Sequence, residues 1–193
     1  MSYYSDDEVV AFGFKHVGKH VLLSKKASIY NAANIEIGDY TRIDDFCVIS
    51  AGEGGISIGR NVHIAVFSSI QGGARIHLGD FSGLSSRVSL YSSNSDYLGE
   101  YLTSPTVPVE FTNVTHSPVK LDKFVIIGSG SIVLPGVVIQ EGSVVGALSL
   151  VKASCDPWGI YVGTPARRVG NRSNGLLKHV KDYLTSQRPK VAF

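Results

Sequence analysis

Cysteine, net charge and long apolar stretches are all scarce in this chain of 193 residues. Two cysteines, Cys47 and Cys155, are too few for a disulfide framework, and no C-x-x-C pair is present. A formal net charge of +2 is too small to indicate binding to nucleic acid or to a membrane surface. No stretch approaches the roughly 20 apolar residues that span a bilayer, and the N-terminus does not resemble a signal peptide. We therefore expect a soluble, cytoplasmic protein.

Glycine, in contrast, is abundant. The chain contains 21 glycines, which indicates many tight turns. Hydrophobic residues make up 44% and charged residues 18%, a balance typical of a globular protein rather than a disordered one. The length suits one domain with a sizeable core.

One apolar position recurs every six residues over most of the chain. The series slips by three residues before Ile58 and by two before Leu78, and a long gap follows Leu90. Its fifteen members are all isoleucine, leucine or valine: Ile37, Ile43, Ile49, Ile58, Ile64, Ile70, Leu78, Leu84, Leu90, Leu121, Ile127, Val133, Ile139, Val145 and Val151. A weaker extension toward the N-terminus consists of Val17, Leu23 and Ile29.

The residue two before each member is restricted as well. These positions hold only small or β-branched residues: Ile35, Thr41, Cys47, Ile56, Val62, Ser68, Ile76, Ser82, Val88, Val119, Val125, Ser131, Val137, Ser143 and Ser149. A period of six fits neither an α-helix nor a simple hairpin sheet. It fits a chain that turns a corner every six residues, with two side chains per face pointing inward. Three faces then close a triangular coil of about 18 residues.

This pattern predicts an all-β fold, a parallel β-helix of about five to six coils; a sandwich of short strands is the alternative. Glycine and aspartate at the predicted corners, as in Gly38-Asp39 and Gly79-Asp80, support it. The ends depart from the repeat. Ser5 and Glu8 have capping-box spacing, and Leu176, Leu177, Val180 and Leu184 follow helical spacing. We expect a β-helix domain over 1–172 and a C-terminal helix and tail over 173–193.

Three late segments carry a resemblance to a known family. They are IIGSGSIVLPGVVI at 126–139, GALSLVK at 146–152 and YVGTPAR at 161–167. Together with the repeat, they resemble the left-handed β-helix acyltransferases, and in particular the acetyltransferases of bacterial surface-polysaccharide biosynthesis. The resemblance implies acetyl-CoA as co-substrate, a homotrimer with active sites between subunits, and a sugar acceptor.

The same resemblance implies a set of coenzyme-binding residues: Gly128, Ser129, Gly146, Ala147, Lys152, Thr164 and Arg167. The backbone of Ala147 is the foremost of these, and cationic side chains would meet the phosphates. For Arg168 and Arg172, phosphate binding and an ordinary basic surface are equal alternatives. Trp158 either stacks on adenine or anchors the C-terminal segment.

A long insertion interrupts the repeat between Leu90 and Leu121, and we assign it to residues 91–118. A loop of this length in a compact domain is usually functional or disordered, and its prolines argue against disorder. His116 lies where the loop rejoins the coil, and its pKa range suits a general base. We therefore expect His116 to deprotonate the acceptor, although a purely structural histidine is the alternative.

Three further loop residues are candidates. Asp96 is expected to orient His116 or to bind the acceptor, with Tyr97 and Glu100 as additional acceptor contacts; solvated loop side chains are the alternative. His63 and His77 point outward and are interpreted as surface residues, with lining of the cleft as the alternative. A zinc site like that of the γ-class carbonic anhydrases, which the fold also resembles, needs a second histidine close to His116, and position 121 is leucine. We expect no metal.

The sequence thus predicts an acetyl-CoA-dependent acetyltransferase that modifies an amino or hydroxyl group of a sugar, expected to be nucleotide-linked (dTDP-type), in O-antigen or other surface-polysaccharide synthesis. A xenobiotic or another small acceptor is one alternative, and a non-catalytic β-helix scaffold is the other. Neither cysteine is expected to form a covalent intermediate, because Cys47 follows the interior pattern and Cys155 adjoins the last coil.

Overall fold

The computed structural model describes residues 2–186, and short strands in it stack into three mainly parallel sheets. The first face consists of β1 (His16–Val17), β4 (Ile35–Ile37), β7 (Ile56–Ile58), β10 (Ile76–Leu78), β15 (Val119–Leu121) and β18 (Val138–Ile139). The second face consists of β2 (Leu22–Leu23), β5 (Arg42–Ile43), β8 (His63–Ile64), β11 (Gly83–Leu84), β16 (Ile126–Ile127), β19 (Val144–Val145), β21 (Gly159–Gly163) and β22 (Ala166–Asn171). The third face consists of β3 (Ser28–Tyr30), β6 (Val48–Ala51), β9 (Ser69–Gly72), β12 (Ser89–Tyr91), β17 (Ile132–Val133) and β20 (Leu150–Val151).

Successive strands occupy successive faces, so the chain winds around a triangular prism. From β1 to β21, the strands of the three faces pair in parallel with the strands one coil away, as where Leu78 lies between Ile58 and Leu121, whereas β22 folds back antiparallel to β21. The predicted left-handed parallel β-helix is therefore confirmed. The described residues form six complete coils, and β21 with the bridge between Ile139 and Cys155 adds part of a seventh, slightly more than expected.

The six-residue repeat forms the core. All fifteen repeat positions, and all fifteen positions two before them, are at most 3% exposed. Every coil therefore contributes one ring of apolar side chains, and removing this surface from water is the main stabilising term of the fold. Leu23 of the weaker N-terminal extension is fully buried, so the first coil is confirmed as well.

The sequence predicted glycine and aspartate at the corners, and in one respect the residue types found there are different. The residues with left-handed backbone at many corners are large, among them Tyr40, Phe81 and Phe124. Such conformations are unfavourable for side chains with a Cβ. Stacking along the corner offsets this cost, since the Phe81 and Phe124 rings lie 5.6 Å apart.

Both ends carry helices. Helix α1 (Asp6–Ala11) begins with the predicted capping box, in which Ser5 and Glu8 each bond the other's backbone N–H. Helix α2 (Leu176–Ser186) rests on the coils through Tyr183, whose ring meets Phe81 edge to face. The predicted tail beyond it, 187–193, lies outside the described residues. Within 2–186, no helix is long and apolar enough to cross a membrane.

Candidate active site

The insertion leaves the β-helix between β12 and β15. A short antiparallel pair, β13 (Ser93–Asn94) and β14 (Thr115–His116), closes its base, with Ser93 opposite His116. Several large apolar side chains of the loop face solvent: Tyr97, Leu98, Tyr101, Leu102, Val109, Phe111 and Val114. These exposed apolar side chains make the loop a candidate surface for interaction with another chain.

His116 is held at the base of the loop by a serine and a glycine. Its Nδ1 lies 2.7 Å from the hydroxyl oxygen of Ser93, which also accepts a hydrogen bond of 2.6 Å from the N–H of Gly73. A Cβ on Gly73 would lie 2.5 Å from that Nδ1, so only glycine leaves room for the ring. In the tautomer that carries its proton on Nδ1, His116 donates to the second lone pair of the Ser93 oxygen, and Nε2 is the nitrogen available as a base.

Asp96 organises its own loop. Its carboxylate accepts bonds of 2.8 Å from the backbone N–H groups of Leu98, Glu100 and Tyr101. These bonds lower the pKa of Asp96, with the bond from Leu98 contributing most. Among the described residues, the hydrogen-bond partner of the His116 ring is Ser93 rather than Asp96. The expected orienting role therefore falls to Ser93, while acceptor binding by Asp96 stays a prediction.

Five of the predicted coenzyme residues lie on one edge of the prism, between the second and third faces. We call this edge the second corner; it comprises Ser85-Ser86, Gly128-Ser129, Gly146-Ala147 and Thr164, on successive coils. The N–H of Leu148 donates to Ser129, and the Thr164 hydroxyl donates to the Leu148 carbonyl. The late motifs therefore form one continuous strip along the molecule.

The glycines of the second corner have a packing reason. A Cβ on Gly128 would lie 2.5 Å from the Ala147 nitrogen, and one on Gly146 would lie 2.7 Å from a Val162 methyl. Ala147 itself is exposed, and within 2–186 its N–H donates to no protein acceptor. An exposed, unpaired donor beside small residues suits the amide-bearing pantetheine arm of coenzyme A, and the adjoining Leu148, 77% exposed, adds apolar surface to the same edge.

The basic residues near the C-terminal strands differ in their contacts: some are exposed, and others bond to groups of the protein itself. Lys152 and Arg167 are exposed, as phosphate binding requires. Arg172 is structural, because it donates bonds of 2.6 and 3.0 Å to the carbonyls of Phe124 and Gly142, and burial lowers its pKa. Arg168 bonds Asn171 at 2.7 Å and lies 3.4 Å from Asp156.

Trp158 also has a structural role. A Cβ on Gly142 would lie within 2.5 Å of the indole, so the ring covers that glycine. The Trp158 carbonyl accepts the N–H of Arg172 at 2.7 Å. Of the two alternatives for Trp158, the contacts favour anchoring of the C-terminal segment.

A concave surface of about 540 Å³ lies beside the lower part of the second corner. We call it the hollow; its lining includes His63, Phe81, Gly83, Ser85, Ser86, Ile126 and Ser129. Because Ser129 belongs to both, the hollow opens onto the predicted path of the coenzyme arm. The sequence alone did not reveal it, since its walls come from three coils separated by long stretches of chain.

His63 is more than the surface residue that the sequence suggested. Its Nε2 lies 2.8 Å from a carboxylate oxygen of Asp44, a buried side chain whose other oxygen accepts a bond of 2.6 Å from Arg42. The bond to Asp44 raises the pKa of Arg42. The partner lies one coil below, so a search at a spacing of about 18 residues, one coil, would have found it.

His116 and the second corner do not meet within one chain. Gly73 and Ser93, which hold His116, follow β9 and β12 at the edge between the third and first faces, which we call the third corner. The second corner precedes the same strands. At about 3.3 Å per residue, the chain between Ser86 and Ser93 spans on the order of 20 Å.

The remaining reactive side chains are enclosed. Cys47 and Cys155 are at most 1% exposed, and burial raises the pKa of each thiol to about 11. Within residues 2–186, no group of three or more histidine, cysteine, aspartate or glutamate side chains is arranged to hold a metal ion.

Comparison with known proteins identifies close relatives. The chain is 50% identical over 178 residues to the dTDP-4-amino-4,6-dideoxy-D-glucose acyltransferase of Escherichia coli, covering 92% of this chain and 93% of that protein. A variant of AntD, an N-acyltransferase from Bacillus cereus solved with dTDP-4-amino-4,6-dideoxyglucose and coenzyme A, matches with a TM-score of 0.92 and 44% identity, covering 96% of this chain and 99% of that chain. AntD with dTDP and 3-hydroxybutyryl-CoA gives a TM-score of 0.91 and 45% identity, covering 96% and 97%. No family model matches the chain.

These relatives agree with the coil architecture. Half of the residues are identical over nearly the whole length of both proteins, so the two chains have the same fold throughout. The chain therefore belongs to the hexapeptide-repeat acyltransferases that include the dTDP-amino-sugar acyltransferases, and it is an acyl-CoA-dependent enzyme of that family.

Proposed function

We propose that this enzyme transfers an acetyl group from acetyl-CoA to the amino group of a dTDP-linked 4-amino-4,6-dideoxyhexose, as a step in O-antigen or related surface-polysaccharide synthesis. The observation that carries the proposal is the hollow, which opens onto the second corner beside Ser129. The named substrates of the relatives support the choice of acceptor. Residues 1–172 then form the catalytic domain, with a helix and tail at 173–193, and cytoplasmic acetyl-CoA supplies the acyl group.

The second corner would hold the coenzyme. When bound, acetyl-CoA supplies an activated thioester carbonyl. The unpaired N–H of Ala147 is suited to bond the coenzyme, and a backbone N–H of this kind stabilises the negative charge that develops on a carbonyl oxygen during attack. Lys152 and Arg167, both exposed, are the side chains for the phosphates.

The acceptor amine must lose a proton to attack. A bond forms between the amine nitrogen and the carbonyl carbon, the nitrogen loses its proton to the base, and the carbon–sulfur bond breaks. The proton then passes from the base to the sulfur, so that the coenzyme leaves as a thiol. We assign the proton transfer to Nε2 of His116, which is free when Nδ1 bonds Ser93. Asp96, Tyr97 and Glu100 lie in the same loop and are the proposed acceptor contacts.

A complete site would need two chains. His116 lies at the third corner and the coenzyme strip at the second, so a neighbouring subunit must bring one to the other. The exposed apolar side chains of the loop provide a surface for that neighbour. We therefore propose a homotrimer in which each site combines the second corner of one subunit with the loop of the next.

A thiol-release assay with acetyl-CoA tests the proposal. We expect release with dTDP-4-amino-4,6-dideoxyglucose and none with the matched sugar that carries hydrogen in place of the amine. Release with chloramphenicol but not with the amino sugar would favour the xenobiotic alternative. Absence of acetyl-CoA binding in calorimetry would favour the scaffold.

Two histidine variants locate the base. His116→Ala is expected to lower kcat about 10²–10⁴-fold, the usual contribution of a general base. His63→Ala is the matched comparison, because His63 lies in the hollow with its own acidic partner. A larger loss of kcat in His63→Ala than in His116→Ala would transfer the role of base to His63.

A further inference from the structure

The outward-facing residues of the second face are aligned in a column from coil to coil, and Gly83 is the residue of this column that has no side chain. Parallel pairing aligns it with His63 below and Ile126 above. The other outward residues of this column all carry large side chains: Leu22, Arg42, His63, Ile126, Val144 and Ile160. A single glycine therefore interrupts a row of large side chains.

Neither packing nor backbone conformation requires glycine at this position. A Cβ on Gly83 would meet only the His63 carbonyl oxygen, at 3.9 Å, which is ordinary van der Waals contact. Its backbone lies outside the left-handed region that favours glycine. Gly128 and Gly146 differ in this respect, because neighbouring coils leave no room for a side chain there.

The space that Gly83 leaves open forms part of the hollow. Phe81 and Ile126 give this space apolar walls, while Ser85, Ser86 and Ser129 line the side toward the second corner. The hollow, with a volume of about 540 Å³, is open to solvent on one side, so its walls leave room for acyl groups longer than acetyl. Asn61 and His63 add polar groups to the lining, so the apolar part of the hollow is the part beside Gly83, Phe81 and Ile126, and this part suits the hydrocarbon portion of a thioester.

We propose that Gly83 sets the length of acyl group that the enzyme accepts, and that the hollow admits acyl chains of four carbons as well as acetyl. This inference rests on the proposed function, since it assumes that the coenzyme arm lies along the second corner. A side chain at Gly83 shortens the space for the acyl group without touching the coenzyme strip. One methylene in an apolar pocket changes selectivity about 10- to 200-fold.

The test measures kcat/KM for acetyl-CoA and butyryl-CoA with the wild type, Gly83→Ala and Gly83→Val. We expect the wild type to use both thioesters. The butyryl-to-acetyl ratio should fall in Gly83→Ala and fall by about tenfold or more in Gly83→Val. Gly170→Ala is the matched control, because a Cβ on Gly170, in β22, meets nothing within 4 Å; its ratio should equal that of the wild type.

Three results would overturn the inference: a wild type that uses acetyl-CoA but not butyryl-CoA, an unchanged ratio in Gly83→Val, or a Gly83→Val variant in which only the KM for the amino sugar rises. The last would assign the hollow to the acceptor. Failure of the proposed function looks different, since the wild type would then release thiol from neither thioester. Circular dichroism of each variant establishes that the coils are intact.

Discussion

The imidazole Nδ1 of His116 lies 2.7 Å from the hydroxyl oxygen of Ser93, across the short strand pair at the base of the insertion. The Ser93 oxygen also accepts a hydrogen bond from the Gly73 N–H, which fixes this oxygen relative to the β-helix. Through Ser93 and Gly73, the β-helix therefore holds His116 in position, although His116 belongs to the insertion.

Removal of the Ser93 hydroxyl should loosen His116. We expect Ser93→Ala to lower kcat about tenfold with little change in the KM of either substrate, a smaller loss than removal of the base itself. Ser93→Thr retains a hydroxyl and should recover most of the activity. A Ser93→Ala variant in which only KM rises, or a Ser93→Thr variant no more active than Ser93→Ala, would mean that Ser93 serves only the loop structure.

The acid stability of the fold should depend on His77. Its Nδ1 lies 2.7 Å from the Ser57 hydroxyl, and burial, followed by Lys120 and Arg75, lowers its pKa below the ordinary value of 6.5. His77 therefore has a higher pKa in the unfolded chain than in the folded protein. As the pH drops below about 6.5, the unfolded chain binds the proton and is stabilised, so the free energy of unfolding should fall. Asp122 and Asp80 oppose the shift and are part of the same environment.

The variant His77→Gln isolates this contribution. It retains a hydrogen-bonding side chain beside Ser57 but cannot take up the proton. Urea unfolding at pH 7.5 and pH 5.5 should show a smaller loss of stability in the variant than in the wild type. An equal loss in both proteins would remove His77 as the cause.

A buried hydroxyl in the core should be dispensable. Ser82 is 2% exposed, and its oxygen has no protein hydrogen-bond partner among the described residues. An unsatisfied buried polar group costs about 1–3 kcal/mol, so Ser82→Ala should raise the free energy of unfolding by about 1 kcal/mol.

Ser131 provides the control with the opposite sign. Its hydroxyl donates to the Gly146 carbonyl at 2.9 Å and accepts the Ser149 N–H at 3.1 Å. Ser131→Ala should therefore lower the free energy of unfolding by about 1 kcal/mol. Equal changes in the two variants, measured by urea unfolding, would contradict this account of the core serines.

The cysteines should be inert in the native enzyme. With thiol pKa values of about 11 and almost no exposure, Cys47 and Cys155 lack both thiolate and access. Native protein should take up no iodoacetamide at pH 8 in mass spectrometry, and urea-denatured protein should take up two equivalents. An acetylated cysteine in enzyme incubated with acetyl-CoA would contradict direct transfer.

The sequence predicted the β-helix core better than it predicted the contacts of the candidate active site. A six-residue period is a local signal, so each repeat position could be assigned from its neighbours, and each proved to be buried. The late motifs fall at regular intervals along the coils, which is why Ser129 and Ala147 lie on one corner; their binding of the coenzyme stays a prediction. The left-handed Phe81 and Phe124 were not predicted, since their stacking joins two coils separated by 43 positions.

The contacts that orient side chains were harder to predict for the same reason. Ser93 pairs with His116 across the loop, and Asp44 with His63 across a coil. The sequence favours Asp96 as the partner of His116, because it is an acid in the same loop. In the structure, however, the Asp96 carboxylate accepts hydrogen bonds from nearby backbone N–H groups of the loop turn. Sequence proximity alone does not decide between such partners.

The central claim is that each active site takes its coenzyme strip from one subunit and His116 from the next. Mixing two inactive variants tests it: His116→Ala, and Ala147→Glu, which places a carboxylate on the coenzyme strip. Each variant is first separated into subunits, and the two are then reassembled at equal concentrations. In a trimer with shared sites, random assortment restores about a quarter of the sites. Recovery of roughly that fraction of wild-type thiol release is the predicted result, and reassembled trimers with no recovered activity would contradict the account.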